Sequence, residues 1–136
     1  MPAVDQKCFV RSYRTTRALT NMQYHTVYAD SEAGADYLEL CSGVGMKPLG
    51  VLSEETTTAG DYTPVILWGP ALVKAKGTIS TGQFVTPSTS GGVVVTTADA
   101  NDAVLGIALE SGITGQEIEV FVNIFHGAPS GATSGQ

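Results

Sequence analysis

Apolar residues in this chain recur at every second position in short runs, and glycine, threonine, serine and aspartate separate the runs. Tyr24, Thr26 and Tyr28 alternate with His25, Val27 and Ala29, a period of two that predicts a strand over residues 24–29. Leu38 and Leu40 alternate with Tyr37, Glu39 and Cys41, and the polar, glycine-containing stretch 30–36 joins the two runs as a hairpin. Residues 62–68 are apolar on both faces, as in a strand covered on both sides. Pro64 within them cannot donate to a ladder, which points to an edge or a bulge, and Pro70 is expected to end the run. Ala71, Val73 and Ala75 then alternate with Leu72, Lys74 and Lys76 as far as Gly77. A run over 79–85 carries a Thr81-Gly82 turn, and Gly91-Gly92 precedes the apolar residues 93–95.

The last run, 117–125, places Ile118, Val120, Val122 and Ile124 on one face and Glu119, Phe121, Asn123 and Phe125 on the other. Two phenylalanines are costly to leave in water, so the face of Phe121 and Phe125 is expected to meet another subunit. No helical stripe of useful length occurs. Seven to nine short strands make the fold all-β, a small barrel or sandwich of the β-tulip or jelly-roll kind.

Two blocks share one pattern. LGVLSE at 49–54 and AVLGIALE at 103–110, with its LGIALE, each put a Leu-Gly pair and aliphatics before an acid. Each is followed by a glycine, Gly60 or Gly115, and a second apolar run. A strand, a glycine turn and a second strand, used twice, predict an internal duplication and a compact pseudo-symmetric body.

A chain of 136 residues is the size of one ordinary domain and can bury a real core. Charged residues make up only 15% of it and glycines number 16, which suits a turn-rich β-protein better than a helical one. Charge is uneven. Residues 1–22 carry four basic residues against one acid, a balance of +3, while the remainder carries three against twelve, −9.

The organisation read from this is a basic extended arm over 1–22, a β-rich domain over 23–126 and a linker-like Gly/Ser tail over 127–136. The arm spreads Lys7, Arg11, Arg14 and Arg17 among polar residues, with Phe9 and Tyr13 as apolar anchors, and is expected to order only against something else. Fully extended, it would reach roughly 70 Å. Four cations tied to an acidic body make a poor footprint for nucleic acid, and none is expected as a partner. No apolar segment follows the basic residues as in a leader or a membrane span, so a soluble protein made in the cytoplasm, without a membrane partner, is expected.

Candidate chemistry is sparse. His25 and His126 lie a hundred residues apart with no metal-ligand spacing, and Cys8 and Cys41 stand outside any CxxC pattern. They read as free thiols, with a disulfide from arm to body as the alternative. Ser42, Ser90 and Ser130 precede glycines but lack the context of a nucleophile elbow. Gly43-Val44-Gly45 lacks the third glycine and following helix of a dinucleotide site. Glu54 and Glu55 are neighbours that a strand would point to opposite faces, and Asp99 with Asp102 lacks the closing glutamate of a calcium loop. No enzyme, cofactor or metal is expected. A trimeric β-barrel enzyme, the dUTP pyrophosphatase, matches on size and class, but its Gly- and Arg-rich substrate motifs are missing.

LGVL at 49–52, AGDYTPV at 59–65, ALVKAKGTISTGQFVT at 71–86, ANDAVLGIALE at 100–110 and the closing strand after Gly115 occur in an order that resembles the capsid cement, or head decoration, proteins of tailed phages. The resemblance covers residues 45–125 and rests on turns and strands. It implies a β-rich homotrimer on the outer surface of the virion head. It also implies the major capsid protein, further copies of itself and neighbouring cement subunits as partners, and no catalysis. The basic arm and the Gly/Ser tail depart from shorter members, so capsid contacts do not carry over residue by residue.

On that reading Lys7, Phe9, Arg11, Tyr13, Arg14 and Arg17 form a capsid-binding arm, and Phe121 and Phe125 close the oligomer. A clamp across capsid junctions would stabilise the shell against internal DNA pressure, gaining strength from multivalency. The alternative is a virion-displayed adhesion or carbohydrate-binding module using Tyr24, Tyr28 or Trp68 as sugar platforms.

Overall fold

The computed structural model describes residues 8–96 and 102–126. Lys7, Asp99 and the tail 127–136 lie outside the described residues. Among the described residues the regular structure is nine strands and a short 3-10 turn at Thr89–Gly91: β1 Phe9–Thr15, β2 Thr26–Ala29, β3 Tyr37–Leu40, β4 Gly50–Leu52, β5 Tyr62–Lys74, β6 Phe84–Pro87, β7 Val93–Val95, β8 Ala103–Ala108 and β9 Glu117–His126. The expected all-β class is what forms. Among the described residues no helix is long and apolar enough to cross a membrane.

The strands make one sheet in the order β1-β3-β2-β4-β5-β9-β8-β6-β7, and β1 also pairs with β5. The sheet does not close into a single barrel. It has instead two lobes that share β5, whose thirteen residues serve the first lobe with their first half and the second lobe with their second.

Each lobe has its own core. Leu19, Val27, Leu38, Leu40, Leu52 and Val65 fill the first. The second is larger: Ala71, Val73, Ala75, Ile79, Val85, Val93, Leu105, Ala108, Ile118, Val120 and Val122, joined by Val51 from the first lobe. Each fully buried aliphatic side chain contributes about 1.5–3 kcal/mol, so most of the hydrophobic stabilisation sits in the second lobe.

The two lobes are copies of one unit. In the first, β1 runs parallel to β3 with Thr15 beside Leu38, and in the second the end of β5 runs parallel to β7 with Ala75 beside Val93. Val27 opposite Gly50 matches Val85 opposite Gly106. Leu52 opposite Val65 matches Ala108 opposite Val120, and Tyr13 opposite Thr63 matches Val73 opposite Ile118. The LGVLSE and LGIALE blocks therefore fall in register, and their following turn glycines, Gly60 and Gly115, both hold the left-handed conformation (φ +86° and +92°).

The paired glycines Gly50 and Gly106 have a common physical reason. A Cβ on Gly50 would come to 2.3 Å from the Ile66 carbonyl oxygen, and one on Gly106 to 1.9 Å from that of Phe121. Both strands cross their partner's backbone too closely for any side chain.

Two expectations are drawn differently by the structure. The N-terminal segment is no separate arm over its described part: Phe9–Thr15 is a strand of the first lobe that ladders along β5 and meets β3 at Arg14 and Thr15, and Leu19 is core. β1 escapes period-two analysis because its first four residues are exposed on both faces and burial begins only at Tyr13 to Thr15, so Arg11 and Thr15 are polar where their counterparts Ala71 and Ala75 are apolar. Pro70 likewise does not end β5. The Ala75 N–H donates to Gln116 next to β9 and the Lys74 N–H to Tyr24 on the other edge. Counting back by twos, the missing N–H of Pro70 faces away from the β9 ladder, where a strand tolerates proline.

Candidate interaction surface

The described residues of the expected capsid-binding arm do not act as one set. Arg14 lies between the rings of Tyr37 and Tyr62, at 4.8 and 5.5 Å, and its Nε donates to the Gly60 carbonyl at 3.2 Å. It locks β1 to the turn that begins β5. Arg17 donates through Nε to both Glu39 carboxylate oxygens at 2.9–3.0 Å. The Thr16 hydroxyl donates to the same carboxylate at 2.8 Å. Burial alone would raise the Glu39 carboxyl, but hydrogen bonds from the Leu40 N–H, Thr16 and Arg17 outweigh it and hold the group below its ordinary range. Arg11 sits 3.7 Å from Asp36 and over the Tyr13 ring at 5.2 Å. Tyr13 packs on the first core, and Phe9, 61% exposed, pairs with Trp68 across the β1–β5 ladder.

Phe121 and Phe125 do share an outward face, and the structure brings further residues to it. Phe84, Ile107 and Phe121 are direct cross-strand partners over β6, β8 and β9, so their side chains stand in one row. Trp68 meets Phe121 edge to face at 4.9 Å, and Phe84 meets Phe125 at 5.8 Å and 90°. All four members of the second lobe, Phe84, Ile107, Phe121 and Phe125, are only half-buried, and Trp68 is 47% exposed. Phe84 and Ile107 escaped the sequence reading because short strands β6 and β8 carry too few residues to declare a face. The signal that finds them is the duplication taken in register.

The same row exists in the first lobe as Thr26, Val51 and Ile66, again cross-strand partners over β2, β4 and β5. There two of its three members are covered and the third, Ile66, is half-buried. Thr26 and Val51 are fully buried, Val51 and Ile66 pack with the second core, and the Thr26 hydroxyl donates to the Gly91 carbonyl at 3.0 Å. The covering turn fits closely: a Cβ on Gly91 would lie 3.0–3.1 Å from His25, Leu40 and Thr26.

The remaining candidates stay apart. Among the described residues no three His, Cys, Asp or Glu side chains come close enough to hold a metal ion. His25 Nδ1 lies 3.0–3.2 Å from the Gln23 and Met22 carbonyls, a local structural contact. Glu54 is exposed, and Glu55 accepts from the Asn21 N–H. Asp102 accepts from the Thr96 hydroxyl at 3.1 Å. Both cysteines are free. Cys8 is exposed, and burial pushes the Cys41 thiol up to about 11 against a hydrogen bond with Thr26. Tyr24 lines one shallow depression and Tyr28 two others, and none of the three includes Trp68.

No family model matches this chain, and no curated protein matches it. Among solved structures, the N base of the head fibre gp8.5 of bacteriophage phi29 is similar at 21% identity with a TM-score of 0.67, over 86% of this chain and 95% of that one. The two-lobed all-β fold described above is therefore shared with a phage protein.

Proposed function

We propose that this chain is a structural protein of a phage head. In this reading it is a decoration or cement protein that binds as a homo-oligomer, a trimer, on the outer surface of the shell and bridges major capsid subunits against internal DNA pressure. The observation that carries the reading is the likeness to a head-fibre base along nearly the whole length of both chains, at a fold similarity well above chance resemblance. It is supported by the outward row Phe84, Ile107 and Phe121, extended by Phe125 and Trp68. Such a contiguous apolar face on a small β-protein marks an interaction surface. No catalytic step is assigned to the protein.

The basic residues keep a part in this reading. Arg11 and Arg17 leave 60% and 56% of their side-chain surface in water while held by Asp36 and Glu39, so both can still face an acidic capsid groove. Contacts of this kind weaken with salt. The test is co-sedimentation of the purified protein with heads of the phage that encodes it, prepared without it, at low and high ionic strength. Saturable binding that weakens with salt is expected. A protein that stays in the supernatant at every ionic strength overturns the reading, and binding to a glycan array in its place would favour an adhesion module.

A further inference from the structure

We propose that the row Phe84, Ile107 and Phe121 of the second lobe is covered by the first lobe of a second copy of this chain, so that copies associate head to tail. The inference deepens the homo-oligomer reading and rests on it. What it adds is the occupant of the apolar face and the polarity of the contact.

The argument comes from the duplication. One row position exists twice, and the chain itself covers most of the first: Thr26 and Val51 are fully buried, Ile66 is half-buried against the second core, and the turn ending at Gly91 is seated on Thr26. The second row has no third lobe to cover it within the described residues. Its residues are also larger and more aromatic than their counterparts, Phe84 for Thr26, Ile107 for Val51 and Phe121 for Ile66. A row meant for water would drift toward polar residues, and this one has drifted the other way.

The partner surface follows from the same symmetry. In the second lobe the docking turn is residues 88–91, with Ser88 and Gly91 buried and Gly91 seated against the first lobe. That turn is therefore already used. Its counterpart in the first lobe is the stretch 30–36. The Asp30 N–H donates to the Tyr37 carbonyl as the Ser88 N–H donates to Gly92, and Asp36 and Gly91 share a positive φ (69° and 80°). Here the turn is free: Ser31, Glu32, Ala33, Ala35 and Asp36 are exposed. It is longer, seven residues against four, and Asp36 stands where Gly91 has no side chain, so the contact between copies seats less deeply than the one inside the chain.

Each copy thus offers one receiving row and one free turn. Such a pairing is heterologous, and it closes into a ring when the rotation between copies allows it.

The test uses two variants of the full chain and their mixture, with mass read by sedimentation velocity and folding checked by near-ultraviolet circular dichroism. F121E removes the receiving row. A33K together with A35K fills the free turn at two exposed alanines without touching the core. Head-to-tail association predicts that wild type is oligomeric and that each variant alone is monomeric at 14.1 kDa. It also predicts that their equal mixture forms a species of twice that mass which grows no further, since it holds one intact contact.

Should F121E lose its fold, F84S replaces it in the same scheme. Loss of the oligomer in F121E with the wild-type mass kept in A33K/A35K means the row meets itself, which overturns the head-to-tail contact and leaves the oligomer reading standing. A monomeric wild-type protein overturns both.

Discussion

Replacing Gly106 by alanine asks whether the close crossing of β8 over β9 is as tight as the duplication demands. The new Cβ would stand 1.9 Å from the Phe121 carbonyl oxygen, 2.8 Å from its carbon and 3.1 Å from the Val122 Cα. All three obstacles are backbone, so no rotamer change relieves them. The two strands must separate by more than 1 Å, in a lobe where Leu105, Val120 and Val122 are fully buried on either side. Overpacking of well-packed interiors costs about 1–3 kcal/mol, and a backbone obstacle belongs at the upper end. Against it stands the gain from stiffening the unfolded chain, about 0.4–1 kcal/mol for Gly to Ala. The net loss is therefore about 2 kcal/mol, which for a chain of this size lowers the thermal midpoint by roughly 5–10 °C.

Gly50→Ala should behave alike, because its Cβ meets the Ile66 carbonyl oxygen at 2.3 Å. Gly43→Ala is the control: no atom lies within 4 Å of its Cβ, and it should match or slightly exceed wild type. Urea unfolding followed by tryptophan fluorescence and calorimetric scans give the numbers. If Gly106→Ala unfolds within about 0.5 kcal/mol of Gly43→Ala, the close crossing and the register built on it are refuted.

Three further outcomes follow from the same structure. Under native conditions Cys8 should react rapidly with an aromatic disulfide reagent while Cys41, buried and with its thiol pushed up to about 11, reacts only on unfolding; equal rates would contradict its burial. Glu39 titrates below its ordinary value of 4.5, so the stability it contributes is present above that value and is lost as pH falls through the depressed one. Glu39→Gln should therefore destabilise at neutral pH and match wild type in strong acid, as thermal scans at the two extremes will show. Leu105→Ala and Leu38→Ala should each cost about 2–5 kcal/mol in denaturant titrations, since both side chains are fully buried in separate cores.

The duplication was legible from the sequence at its centre and invisible at its edges. The Leu-Gly blocks at 49–54 and 105–110 stand out because Gly50 and Gly106 answer a strict steric demand and Leu52 and Ala108 a shared core position. The first strand of the unit does not stand out. Val73 and Ala75 are apolar core residues, while their counterparts Tyr13 and Thr15 carry hydroxyls in a strand whose Arg11 and Arg14 stack on Tyr13, Tyr37 and Tyr62. The basic residues therefore read as an arm although they fasten a lobe.

Much the same holds for the candidate surface. Phe121 and Phe125 were legible because β9 is ten residues long and its alternation is clean. Phe84 and Ile107 needed the ladder register, which no local period supplies. Trp68 read as core or as a sugar platform, and its edge contact with Phe121 ties it to the apolar face instead.

The measurement that bears most directly on the proposed role is cryo-electron microscopy of heads from the encoding phage, made without this protein and then incubated with it. Added density of two-lobed subunits on the outer surface, at junctions between capsid subunits, is the predicted result. Heads whose outer surface is unchanged at saturating protein would contradict the account.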